Sequence, residues 1–430
     1  MKDIIKPFKL KKRFLKKVAG TKNSRYKTIE DIIVSRLAID TNAAFLANSK
    51  DEKEKLHDRF SKAIQRIEYG IKTDRTNTNW LGRFMPNYFT GEVDIKDLSN
   101  YSYNDKIKIS IHEFNHASAH FGLCCINYGT HSVYYDGLRK IYRGANNRIF
   151  KIKGTYLNEF INEVNSYMQY YSLPNMHLCK NTANDIFYRP MEENIKNEEN
   201  AFRSGYTVPY LFELGRLFLI AGENFANIDY DTIIKNGKSP ITLDTKTGIP
   251  LNDLLYASKK GQAAIKLQHN FNKMVGVNEY NKLLEGFDLL FKQKNMNVPY
   301  NLDVVNNIIT KITEYFEQKK DMYLCTHRWT KEDADIMSDR FYKQCNHLFS
   351  LFNIAPTTYG SRKFRSTLTK KINNNRKHKK IYKMCYYKDD SDLKFNLKVN
   401  ASLLICALEE IEKKKNKYSS IIKKKNLSIK

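Results

Sequence analysis

No stretch of about 18 consecutive apolar residues occurs in the chain, so no transmembrane helix is expected. The first residues, through Lys17, are basic and only weakly apolar, and no signal peptide is expected there. Cysteines are few: seven, an odd number at irregular spacing, which argues against a disulfide framework and suits reduced thiols in a cytoplasmic protein. Export by a route without a cleaved signal stays open. There is no Gly-rich phosphate loop and no Gly-x-Ser-x-Gly elbow, which removes the commonest nucleotide-binding and serine-hydrolase patterns. No internal repeat of about 20–50 residues is found. Acidic residues are in short supply, 46 against 73 lysines and arginines, for a formal charge of +27.

That charge is concentrated in three runs: 9–17, 362–388 and 413–425. The middle run carries Tyr382, Tyr386 and Tyr387 among its lysines, a mixture compatible with an anionic partner such as nucleic acid. Lysine bias on solvated helices and a basic tail gives the same pattern, and no residue pattern of a named nucleic-acid fold accompanies it. With 430 residues and 41% hydrophobic content, the chain can bury a sizeable core in two or more domains.

Histidine is scarce, ten in all, yet two fall in His112-Glu113-Phe114-Asn115-His116. Around them Ile107, Ile111, Phe114, Ala117 and Phe121 recur at helical spacing and predict an amphipathic helix over about 106–121. Histidines four apart stand one turn from each other on one face, so both imidazoles can reach one metal ion. The spacing places them opposite the apolar stripe, toward a cleft or solvent. The glutamate between them then lies where it can take a proton from water at the metal. His120 shares this face one turn on, and is expected to be solvated or to touch substrate.

Catalytic zinc takes three protein ligands and keeps one position open. A second helix, about 155–172, supplies a candidate. Its stripe of Leu157, Phe160, Ile161, Val164, Tyr167, Met168 and Tyr171 leaves Glu159 and Glu163 together on the other face. Paired glutamates on such a face are also what an ordinary solvated helix displays.

With HExxH followed by Asn158-Glu159-Phe160-Ile161-Asn162-Glu163, the chain resembles the gluzincins, zinc peptidases of the thermolysin-like type. The resemblance covers about 105–230 and extends to bacterial metallopeptidases of low-GC genomes. It implies Zn2+ held by His112, His116 and Glu159, with Glu113 as general base and Glu163 orienting a ligand histidine. The sequence departs from the pattern at Asn162, where serine or threonine is usual, and at Phe160, where a small residue is usual. Metzincins fit less well, because Ala119 and Gly122 stand where their pattern needs glycine and histidine. An oxyanion donor is also required. His131, Tyr134, Tyr142 and Tyr206 are candidates, with Tyr206 first because it opens the helix after the zinc core.

The expected fold class is α+β, mainly helical: a zincin-like core with a small β-hairpin, and a helical C-terminal region. Residues 1–27 read as a basic arm, 28–230 as the core, 231–410 as a mostly helical domain and 411–430 as a basic tail. Within the core, helices are expected at 28–48 and 51–70, and 74–104 reads as turn-rich and aromatic. A hairpin is expected over 131–154, with strands Ser132 to Arg143 and Arg148 to Lys153. The polar stretch 174–200 reads as a loop or lid, and 207–222 as a helix ending at Gly222. Cys325/His327 and Cys345/His347 are poorly spaced for shared ligation and read as coincidence. The function expected is hydrolysis of a peptide or protein substrate. The rivals are a zincin that binds zinc without turnover, and a basic nucleic-acid-associated or phage-type structural protein in which HExxH is accidental.

Overall fold

The computed structural model describes residues 50–70, 81–86, 91–96, 103–171, 182–188, 209–235, 241, 243–244, 246–296, 298 and 300–354, with positions 43 and 47. The basic runs 9–17, 362–388 and 413–425, most of the expected helix 28–48, most of the 174–200 stretch and Tyr206 lie outside the described residues. In those described, the fold is α+β and mostly helical, and no helix among them is long and apolar enough to cross a membrane. Two compact units divide them: residues up to 188 join Gly222–Glu285, and 209–221 join 286–354.

The first unit opens with α1 (Lys50–Ala63), β1 (Ile64–Gly70), β2 (Gly82–Pro86) and β3 (Gly91–Lys96). The strands form a small sheet in the order β1-β3-β2, with β1 parallel and β2 antiparallel to β3. This corrects the single helix expected over 51–70. Ile64, Ile67 and Tyr69 suit a pleated surface, and pairing with β3 outweighs the helical propensity of the lysine-rich segment before them. It also corrects the turn-rich reading of 74–104 at 82–86 and 91–96, the rest of that stretch up to residue 102 lying outside the described residues apart from Leu81. Gly82, Pro86 and Gly91 punctuate two short strands there, and Val93 and Ile95 of β3 are fully buried.

Helix α2 (Tyr103–Phe121) packs on β2 and β3 and buries Ile111, Phe114 and Ala117. An antiparallel meander follows: β4 (Cys124–Asn127), β5 (His131–Asp136), β6 (Arg139–Gly144) and β7 (Ile149–Lys153), paired in that order. The expected strand from Ser132 to Arg143 is therefore two strands, reversed at Gly137 and Leu138. Asp136-Gly137 is a strong turn signal, and it wins over the apolar alternation on either side.

Helix α3 (Thr155–Tyr171) is buried almost all round. Leu157, Phe160, Ile161 and Val164 fill the core, each such side chain contributing about 1.5–3 kcal/mol. Its other face is polar and equally buried: Asn158, Asn162, Asn165, Ser166 and Gln169. Short helices α4 (Thr182–Tyr188), α6 (Tyr230–Lys235) and α7 (Asp253–Ala257) and helix α8 (Gly261–Val275) complete the unit, counting α5 (Pro209–Ala221) with the second. The sequence over 207–222 and beyond 250 reads as helical, and the described residues within those ranges, 209–221 and 253–354, are mostly helical.

In the second unit, α5 lies with α10 (Leu302–Cys325) and α11 (Lys331–Ile354), after α9 (Glu279–Asn295), which runs across the boundary at 285/286. Leu211, Phe212, Leu217 and Phe218 of α5 are buried, and Phe316 stacks on Phe341 with centroids 4.1 Å apart. Asn301 caps α10 by accepting from the N–H groups of Asp303 and Val304.

Candidate metal centre

The spacing of His112 and His116 sets their imidazoles 4.8 Å apart on α2, and α3 lies against that face. The cleft expected at this face is closed by α3, so both histidine side chains are largely buried. Nε2 of His116 is 3.1 Å from Nε2 of His112 and 3.0 Å from Oε2 of Glu159; His112 Nε2 is 3.4 Å from the same oxygen. Two imidazole nitrogens and one carboxylate oxygen thus converge within 4.8 Å of one another, the one group of potential metal ligands found among the described residues.

The far side of each ring is also engaged. His112 Nδ1 is 2.8 Å from Oε2 of Glu163, and His116 Nδ1 is 2.6 Å from the carboxamide nitrogen of Asn162. Residues 162 and 163 come three and four after 159 on α3, so each shares the face of Glu159 that meets α2. Glu159 and Glu163 therefore do not form a solvated face.

Glu113 is buried beside the pair. Burial raises its pKa, and the neighbouring histidines only partly oppose the shift. Strand β2 passes close by: a Cβ on Gly82 would stand 2.8 Å from Cγ and 3.0 Å from Oε1 of Glu113. Only a glycine lets the strand approach the carboxylate this closely. For His112, burial disfavours the charge, but hydrogen bonds to Glu159 and Glu163 outweigh it and raise the pKa well above the ordinary value. Burial likewise disfavours the Glu159 carboxylate, yet the two histidines hold its pKa far below the usual range.

Behind the triad lies a buried polar seam that the motif does not announce. Asn115 donates to Ser166 Oγ at 2.9 Å and accepts from Gln169 at 2.9 Å. Lys259, just after α7, donates to the backbone oxygen of Asn115 at 3.0 Å, to its Oδ1 at 2.9 Å and to Oδ1 of Asn162 at 3.4 Å. Burial pushes the Lys259 pKa down to about 7, against an opposing pull from Asp136. At the β5–β6 turn Asp136 pairs with Arg139, and the backbone N–H of Leu138 donates to Asn158, the residue before Glu159. Burial opposes the Arg139 charge, and Asp136, with Glu159 adding a smaller pull, more than restores it.

Other expectations fall elsewhere. His120 is buried at the edge of the helix, its ring 5.6 Å from that of Phe84, so it is not the solvated histidine expected. Phe84 of β2 gives it a partner that helical periodicity alone does not reveal. His131 and Tyr142 share an aromatic cluster with Tyr128 and Phe150 on the meander, and Tyr134 lies under the Arg143 guanidinium at 4.9 Å. Cys325 and His327 are exposed at the end of α10, while Cys345 is buried and His347 Nε2 is 3.8 Å from Glu213. Lys259 carries no sequence signal: it is one lysine in a lysine-rich chain and lies in no motif. Asn162 does carry one: it is the departure from the motif. Compared with known proteins, the chain matches no protein-family model, no curated protein and no solved structure.

Proposed function

We propose that the chain is a zinc-dependent metallopeptidase of gluzincin type, with His112, His116 and Glu159 as metal ligands and Glu113 as general base. The observation that carries the reading is the convergence of two Nε2 atoms and one carboxylate oxygen from separate helices, with the Glu163 carboxylate behind the His112 ring. The donor set suits zinc: three nitrogen and oxygen ligands of the catalytic type, with no thiolate among them. Zinc held there supplies Lewis acidity that polarises a carbonyl and lowers the pKa of water.

The chain's own residues supply the rest. Glu159 neutralises charge at the ligand cluster. Glu163 fixes the ring of His112 by accepting a hydrogen bond from its Nδ1–H, which leaves Nε2 free to ligate. Glu113 takes the proton of the attacking water and returns it to the leaving amine, and its upward-shifted pKa brings it closer to neutral operation. β2, at the edge of its sheet and against Glu113, offers backbone groups to an extended peptide.

Glu113→Gln separates base from ligand. The variant should retain the wild-type zinc content and lose peptide cleavage by about 100-fold or more, the scale of a lost general base. Cleavage of a peptide library at the wild-type rate would remove Glu113 from the mechanism. Loss of zinc would make it structural.

A further inference from the structure

The carboxamide of Asn162 stands between two groups that compete for its one oxygen. On one side is His116 Nδ1, 2.6 Å from the amide nitrogen; on the other is Lys259 Nζ, 3.4 Å from Oδ1. A neutral histidine presents Nε2 to a metal only when its proton sits on Nδ1, and that N–H needs an acceptor. A lysine ammonium only donates, and so does the NH2 end of a carboxamide. The two groups stand at opposite ends of the carboxamide, so its oxygen can face a charged Lys259 or a metal-ligating His116, but not both.

The structure displays one of the two patterns. The amide oxygen faces Lys259 and the NH2 faces His116 Nδ1, which places the imidazole proton on Nε2, 3.0 Å from Glu159. The metal-ligating pattern needs the carboxamide turned round. Its NH2 then meets Nζ, which can accept only as a neutral amine.

Lys259 is also held in place. Gly122, at the end of α2, leaves room for it: a Cβ there would stand 2.0 Å from the Lys259 carbonyl oxygen. The N–H of Gly261 donates to Gly122 O at 2.7 Å, and Asn252 caps the short helix that leads in. The lysine side chain is buried, and two of its three donors are spent on Asn115. α2 and α3 present it with the neutral groups of Asn115 and Asn162. The charged group facing it is Asp136 at the end of β5, itself paired with Arg139. The depressed pKa that burial imposes makes the neutral amine accessible near neutral pH.

We propose that Lys259 is a positioning residue that acts on His116 through Asn162, its charge competing with the metal for the Asn162 carboxamide. The charged lysine holds the metal-off hydrogen-bond pattern, and the neutral lysine permits the metal-on pattern. The inference rests on the zinc reading of the His112–His116–Glu159 group. Linkage is reciprocal, so zinc binding drives a proton off Lys259.

The test is the zinc affinity of the full chain, measured against a competing chelator at about pH 6 and about pH 9, on either side of neutrality. Lys259→Met fills a similar volume and cannot donate. It should bind zinc about tenfold more tightly than wild type at the lower pH, a typical coupling, and no more tightly at the higher pH. Weaker binding at both pH values is the signature of a merely structural lysine and would overturn the proposal. Asn162→Asp provides a second route if the methionine variant does not fold, because a carboxylate has an oxygen for each donor. Its gain over wild type should be larger at the lower pH. An equal gain at both, or none, would also overturn the proposal. Wild-type protein that takes up no zinc at either pH would instead remove the zinc reading itself, and the inference with it.

Discussion

Asn162 and Glu163 are consecutive on α3 yet serve different histidines, His116 and His112. Replacing Glu163 by alanine should weaken zinc binding by about 10–100-fold, the usual cost of losing the partner behind a ligand histidine. A chelator titration of the variant measures this, and unchanged affinity would remove Glu163 from the site. Acid should compete with zinc at the same place. In the metal-free protein burial opposes the His112 charge, but Glu159 and Glu163 raise its pKa well above the ordinary value. The folded state thus holds this proton more tightly than the unfolded chain does. Its stabilising contribution is complete below the ordinary histidine pKa and is lost as pH rises through the raised one. Zinc must displace that proton, so affinity should climb with pH and level off only above the raised His112 pKa. A titration series showing flat affinity from about pH 6 to about pH 8, the range where histidines titrate, would contradict this.

At the scale of elements, the site is a seam between α2 and α3, backed on one side by β2 and on the other by the turn carrying Lys259. The two helices are legible in the sequence because each has a long apolar stripe at period 3.6, and because ligand-type residues fall opposite it. The strands β1, β2 and β3 are not. Each has seven residues or fewer, and β1 pairs in parallel with β3 across the intervening β2, a pairing that local periodicity does not register. Lys259 is hidden for the same reason: its partners on α2 and α3 lie 144 and 97 positions away. Gly82 illustrates what the missed strand contributes. Gly82→Ala would place a methyl 2.8 Å from Glu113 Cγ and 2.9 Å from Ile109 Cγ2. The carboxylate must shift, and a misplacement of about 1 Å can cost about 100-fold in rate. Turnover should therefore fall while zinc content is retained; an equally active variant would show that Glu113 does not need its present position.

At the scale of the whole molecule, the candidate centre belongs entirely to the first unit: every residue of the triad, its partners and Lys259 lies within 112–259. The second unit contributes its own buried polar group, Glu213 with Arg216 on α5 and Gln344 on α11. The net charge of +27 remains the strongest feature in favour of an anionic partner. If the protein is a nucleic-acid binder with an accidental HExxH, the triad is a buried hydrogen-bonded cluster and nothing more. Metal content separates the two readings most directly. The full chain, stripped with chelator, reloaded with zinc under reducing conditions and desalted, should carry one zinc per chain by elemental analysis. His112→Ala and His116→Ala, treated identically and shown to be folded, should carry none. Wild-type protein that stays metal-free, or histidine variants that bind zinc as the wild type does, would contradict the account.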